Sequence, residues 1–272
     1  LDSSIIAAVA YDLGVKIPLV TVGIEGASDL ENAKIMAEHL NAEHSILMFD
    51  AEKITSAVPK AVYALESFDE DCVSGAISNL FASSRACDYT NCILSGEGGD
   101  ELFGGYHLLK ELPTQAAKLK MMDKLVEIAY NTAVQRLDRS MMANSMNYRT
   151  PFIDSHVVSF AKQLPVNWKI KNVGQGKWIE KYILREAFKD LLPEKIYKRV
   201  KLRFSAGTGT DSLMDDVAKQ QMGINDFTEK TKVTPEGYTL NTAKEFWYYK
   251  LFKQNFPDPC FERLVGRWDP SK

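Results

Sequence analysis

The residues with the most chemical potential lie at positions 91–106, Asn-Cys-Ile-Leu-Ser-Gly-Glu-Gly-Gly-Asp-Glu-Leu-Phe-Gly-Gly-Tyr. Three carboxylates, Glu97, Asp100 and Glu101, crowd a single bend. Like charges at short range repel and disfavour one another's ionised forms, so a bend of this kind calls for a cation. Hard carboxylate oxygens at a strand end suit Mg²⁺, which is commonly held by one or two carboxylates together with substrate phosphates. Ser95, Gly96, Gly98 and Gly99 let the backbone turn sharply and approach a ligand closely. A solvated acidic turn is the alternative that these residues alone leave open.

A second cluster opens the chain, Leu1-Asp2-Ser3-Ser4 ahead of Ile5, Ile6, Ala7, Ala8 and Val9. It predicts a helix start. Asp2, Ser3 and Ser4 could be simple caps or one wall of an anion site, since free N–H groups and the helix dipole favour phosphate there. A third cluster, residues 198–209, is basic and then Gly-rich. It reads either as a cationic surface loop or as the carrier of a phosphate-seeking Lys201.

The elements that must position these clusters follow from periodicity. Residues 91–94 read as a short buried strand, residues 17–23 as another and residues 45–49 as a third. Between them lie a helix opened by a Ser28/Glu31 capping box, a helix capped by Asp50 and a helix over 73–89. Such alternation predicts an α/β fold, a parallel sheet with helices on both faces, whose ligands gather beyond the carboxyl ends of the strands. From about residue 108 strand patterns give way to Ala, Leu, Met, Lys and Glu, which predicts a mostly helical C-terminal half. Helices are expected within 113–146, over 154–163 and over 177–191. The expected division is 1–110 for the α/β core and 111–272 for the helical part completing the same unit. Phe246, Trp247, Tyr248 and Tyr249 are expected on a helix as core. Beyond Pro257 an ordered or partly mobile extension without chemistry of its own is expected.

Composition narrows the classes. With 272 residues, 45% of them hydrophobic, the chain can bury a sizeable core. A net charge of -3 supplies no field for nucleic acid. No apolar run reaches the roughly 20 residues of a membrane helix and no signal pattern opens the chain, so a cytoplasmic protein is expected. Cys72, Cys87, Cys92 and Cys260 form no CxxC pair and are expected as buried free thiols. The four histidines lack an HExxH spacing, and a zinc hydrolase is not indicated.

Three separated stretches, together covering nearly the whole chain, resemble one family. Leu1-Asp2-Ser3-Ser4 resembles the second half of the Ser-Gly-Gly-x-Asp-Ser pyrophosphate loop of N-type ATP pyrophosphatases. The loop from Ser95 to Tyr106 resembles the second ATP and magnesium loop of the asparagine synthetases (glutamine-hydrolysing type B). Arg149-Thr-Pro-Phe-Ile-Asp154, preceded by Arg136-Leu-Asp-Arg139 and Ser145, resembles that family's Arg-x-Pro-Phe-Leu-Asp stretch. The resemblance implies an adenine nucleotide alpha-hydrolase-like fold. It also implies activation of the aspartate β-carboxylate by ATP as an acyl-adenylate, pyrophosphate release and attack by ammonia. By position it makes Asp2 and Asp100 the magnesium ligands and Ser3 and Ser4 the pyrophosphate-loop hydroxyls. Val22 becomes an adenine-contacting strand end, Ser95 and Gly96 nucleotide contacts, and Lys201 the lysine on the phosphates.

Glu97 discriminates among the relatives: lactam-forming ones carry Tyr there, and a carboxylate at this position could orient the amine or take its proton. A related ligase closing a lactam or peptide ring, and a catalytically silent member, are the alternatives. The chain departs from the family at Asn147, where Glu is common, and in Lys201-Leu-Arg-Phe-Ser, where Lys-Glu-Gln-Phe-Ser is usual. The first Ser-Gly-Gly and its strand are not in the chain. The implied partners are aspartate and ammonia, free or from an N-terminal glutaminase domain or subunit, with a homodimer as a possible assembly.

Overall fold

The computed structural model describes residues 1–222, 227–228 and 232–267. Helix α1 (Asp2–Asp12) turns Ile5, Ala7 and Ala8 inward. It is followed by β1 (Leu19–Gly23), α2 (Ser28–Leu40) and β2 (His44–Met48). The strands β1 and β2 pair in parallel, Leu19 opposite His44 through Gly23 opposite Met48. Asp50 accepts the Lys53 amide at 2.9 Å and starts α3 (Ala51–Leu65). There Ile54, Val58, Ala61, Val62 and Leu65 recur at helical spacing and are all buried.

Helix α4 (Glu70–Ala86) is capped by Asp69 and buried nearly all round. Its Ser, Gly and Ala positions let α3 and later helices pack closely on every side. It leads into β3 (Cys92–Leu94) and the short α5 (Gly99–Phe103) inside the acidic loop.

The second half is helical with exceptions. It contains α6 (Leu108–Glu111), α7 (Gln115–Ile128), α8 (Ala133–Met142), α9 (Ser155–Gln163) and α10 (Val166–Lys169). After these come α11 (Tyr182–Phe188), α12 (Glu194–Tyr197), α13 (Phe204–Gly207), α14 (Thr210–Gln221) and α15 (Ala243–Asn255). Strand β4 (Asn147–Arg149) returns to pair in parallel with β3. Strands β5 (Ile170–Gly174) and β6 (Lys177–Glu180) form an antiparallel hairpin.

The main core joins α3 and α4 to α14 and α15. Ile54, Val58, Val62, Phe68, Val73 and Ile77 are wholly buried there, each contributing about 1.5–3 kcal/mol. Trp247 and Tyr248 belong to this core, as expected of the aromatic run. A second core unites α1, α2, α5, α9 and α11 and carries the acidic loop.

The expected elements need several corrections. Parallel pairing is present, among the described residues as two two-stranded ladders. The strand expected to be buried at 91–94 is short and ends on Leu94, which is 44% exposed, because among the described residues only β4 pairs with it. The second half does contain strands, and residues 177–180 of the helix expected over 177–191 are β6. The Ser28/Glu31 capping box does not form: Ala27 is the N-cap, Ser28 accepts from Arg199 at 3.1 Å and Glu31 pairs with Lys195 at 2.5 Å. Long-range cations win both side chains. Cys87 and Cys260 are exposed, so only Cys72 is a fully buried thiol. Of the extension expected beyond Pro257, Pro259–Leu264 is a 3-10 turn and residues 268–272 lie outside the described residues. Among the described residues no helix is long and apolar enough to cross a membrane.

Candidate active site

The acidic loop is placed by its two flanks. Ser95 donates its amide to the Arg149 carbonyl at 2.9 Å, extending the β3–β4 ladder by one bond. The loop then runs against the start of α1: a Cβ on Gly96 would lie 2.8 Å from both the Asp2 Cβ and the Ser3 amide nitrogen. Only a glycine permits that approach. No side chain caps α1, so the opening Asp and Ser residues are not spent on its N-terminus. Ser3 is exposed and Ser4 half-buried.

Two lysines meet the aspartates here. Lys181 lies between β6 and α11 in a left-handed backbone conformation (φ 52°), and its side chain is buried. Its Nζ pairs with Asp2 and, at 2.6 Å, with Asp100 Oδ1. Lys201 Nζ reaches Asp100 Oδ2 at 2.6 Å. Burial would raise the Asp100 carboxyl, but the two ammonium groups outweigh it and hold it well below the usual carboxylate range. Burial likewise opposes the charge on Lys181, and Asp100 and Asp2 outweigh it, holding the amine above its usual value.

The basic loop is anchored from beneath. Glu180 accepts the Lys201 amide at 2.9 Å, Lys110 at 3.1 Å and Arg185 at 2.9 Å. Arg185 in turn donates to the carbonyls of Tyr197 and Arg199 at 2.5 and 2.8 Å.

The other two loop carboxylates go elsewhere. Glu97 pairs with Arg136 of α8 at 2.6 Å. Glu101 is buried against the Tyr106 hydroxyl at 2.5 Å, and burial, followed by the charges of Glu97 and Asp100, pushes it up to about 7.

With this geometry in place, similarity to known proteins is informative. The family model described as asparagine synthase matches residues 1–132 and 120–259. The chain belongs to the asparagine synthase family. Its relatives include the asparagine synthetase [glutamine-hydrolyzing] of Gallus gallus, 31% identical over all of this chain and 51% of that protein. Those of Homo sapiens and Zea mays are 29% and 27% identical, again over all of this chain and about half of each relative. The chain thus spans about half the length of the curated relatives it matches.

In this chain Asp2, Gly96, Asp100 and Lys201 come together, with Ser3 against Gly96 and Ser95 next to it in sequence. Val22 does not offer its side chain to them. It is buried in the main core, which leaves its backbone at the end of β1 as the part able to face a ligand. Asn147 is exposed on β4.

Asp2 and Asp100 are the residues that would hold a divalent cation. Asp2 Oδ1 is buried without a hydrogen-bond partner, spare capacity of the kind a hard cation needs, whereas each oxygen of Asp100 already faces an ammonium. Among the described residues no cluster of three or more His, Cys, Asp or Glu converges for a metal, so a cation here requires further oxygens from a ligand.

Sequence reasoning missed Lys181, Glu180 and Arg185. A signal was present: three charged side chains sit among Trp178, Ile179, Tyr182, Ile183 and Leu184, where a packed element would exclude them unless they were paired.

Proposed function

We propose that this chain is the synthetase part of an ATP-dependent asparagine-forming ligase. In this reading residues 1–110 are an ATP-pyrophosphatase core, and residues 111–272 complete the same unit. The β1–β2 and β3–β4 ladders are taken as pieces of one nucleotide-binding sheet, supported by Val20 and Ile93 packing on the same apolar cluster. The observation that carries the proposal is the convergence of Lys181 and Lys201 on Asp100 where the acidic loop meets the start of α1. Cations fixed in advance at the place where charge develops commonly supply the largest catalytic term.

The β-carboxylate oxygen of aspartate attacks the α-phosphorus of ATP. The bond to the bridging oxygen breaks and pyrophosphate leaves. Lys181 and Lys201 neutralise the charge growing on that leaving group, and the amides exposed at the start of α1 and around Gly96 hold its oxygens. Bound between Asp2 and Asp100, Mg²⁺ would add Lewis-acid neutralisation of the phosphates. Ammonia then attacks the acyl carbon, the carbon–oxygen bond to AMP breaks, and the proton shed by nitrogen goes to Glu97. The relatives' printed names include glutamine hydrolysis. A glutaminase domain or subunit is accordingly proposed as the ammonia source, in the cytoplasm.

The test is an assay of the complete polypeptide with ATP, Mg²⁺, aspartate and ammonia. Asparagine, AMP and pyrophosphate are expected in equal amounts, and Asp100→Asn should lower their formation by about 10²–10³-fold. Formation of ADP and phosphate would overturn the adenylate route.

A further inference from the structure

Glu97 is the loop carboxylate that separates branches of the family, yet nothing in the loop itself fixes its direction. Its backbone amide makes only a long bond to Ser95 Oγ, 3.4 Å, and its nearest charged neighbours in sequence, Asp100 and Glu101, repel it. The counter-charge comes from a different element. Arg136 reaches from α8, and its Nη2 meets Glu97 Oε1 at 2.6 Å with both side chains less than one-fifth exposed.

The guanidinium gets there by lying across the backbone of α4. A Cβ at Gly75 would sit 2.7 Å from Arg136 Cδ and 2.9 Å from Nη1, so the path exists because residue 75 has no side chain. Helices α4 and α8 pack against each other around it. Burial opposes the guanidinium charge, and Glu97 outweighs that effect. The guanidinium meets Glu97 through a single oxygen, Oε1.

We propose that Arg136 is the positioning residue for Glu97, with Gly75 as the space that admits it, so that α8 sets where the acidic loop presents its amine-directed carboxylate. The proposal rests on the reading above that Glu97 acts on the attacking amine. Arg136 itself touches neither reactant. Its effect belongs to the second half-reaction, attack by ammonia, and not to adenylation, which the lysine–aspartate cluster serves.

The experiment uses the complete polypeptide and two readouts. One is kcat/KM for ammonia in asparagine formation; the other is aspartate-dependent pyrophosphate release in a single turnover without ammonia. Arg136→Met should lower the first by about tenfold or more while leaving the second within about threefold. Arg136→Lys, which keeps charge but loses the planar fork, should recover part of the loss. Gly75→Ala, which displaces the guanidinium without removing it, should give a milder form of the same split. In an Glu97→Gln background, Arg136→Met should add nothing.

Equal losses in both readouts, or full additivity with Glu97→Gln, would overturn the positioning role while leaving the function of Glu97 standing. A Glu97→Gln variant with normal kcat/KM for ammonia would remove both.

Discussion

Two buried lysines in this molecule each bridge two carboxylates, and they do so differently. Lys244, at the start of α15, meets Glu70 at 3.0 Å and Asp215 at 2.8 Å. The other oxygen of Glu70 accepts the Thr242 hydroxyl at 2.5 Å, and Asp215 is half exposed to water. Every carboxylate there has an outlet. Lys181 meets Asp2 and Asp100 in the same way, a second lysine joins, and still Oδ1 of Asp2 is buried without a hydrogen-bond partner. A cluster that ties α15 to α4 can satisfy its own groups. One that must accept a ligand keeps unspent capacity, at a cost in stability that other contacts offset.

The comparison is sharpest at the lysines themselves. Lys181→Met leaves Asp2 without its ammonium and Asp100 with Lys201 alone, and the protein should lose about 3–5 kcal/mol in urea unfolding without Mg²⁺. Part of that loss should return when Mg²⁺ and ATP are added, and pyrophosphate release should fall by at least about 10²-fold.

Lys244→Met should cost less, about 2–3 kcal/mol, because Glu70 keeps Thr242 and Asp215 keeps water. Neither Mg²⁺ nor ATP should change that figure, and activity measured well below Tm should stay within about twofold. Equal costs and equal Mg²⁺ responses at the two sites would break the distinction.

The smallest effect is a pH slope from the structural cluster. Burial pushes Glu245 up to about 7, with Asp69 and Glu70 adding to the rise and the Asn241 amide and Arg267 opposing it. Its native form therefore holds a proton between about pH 4.5 and 7 that the unfolded chain has released, so stability falls as pH rises through that window. Glu245→Gln should flatten that slope, read as Tm against pH. The asparagine-forming rate should be unaffected.

Much of the site was legible because its signals are local. The acidic loop announces itself by composition, and Asp50 caps α3 with its own sequence neighbours. The hairpin of β5 and β6 was also announced, by Gly174-Gln175-Gly176 in three successive left-handed conformations, but the helical composition around it hid the turn signal. The Ser28/Glu31 pattern misled for the opposite reason: a correct local signal lost to Arg199 and Lys195, which arrive from far along the chain.

Lys181 illustrates what no local pattern carries. It lies 179 residues from Asp2 and 81 from Asp100 in sequence, yet its ammonium touches both carboxylates. The sequence by itself determined the acidic loop, the helix that begins at Asp2, the apolar faces and the family. The tertiary structure decided which cation meets which carboxylate: Lys181 and Lys201 on Asp100, Arg136 on Glu97, and Tyr106 as the hydrogen-bond partner of Glu101. The reason is that charge interactions fall off with distance through space and grow as water is excluded, and both are properties of packing between elements far apart in the chain.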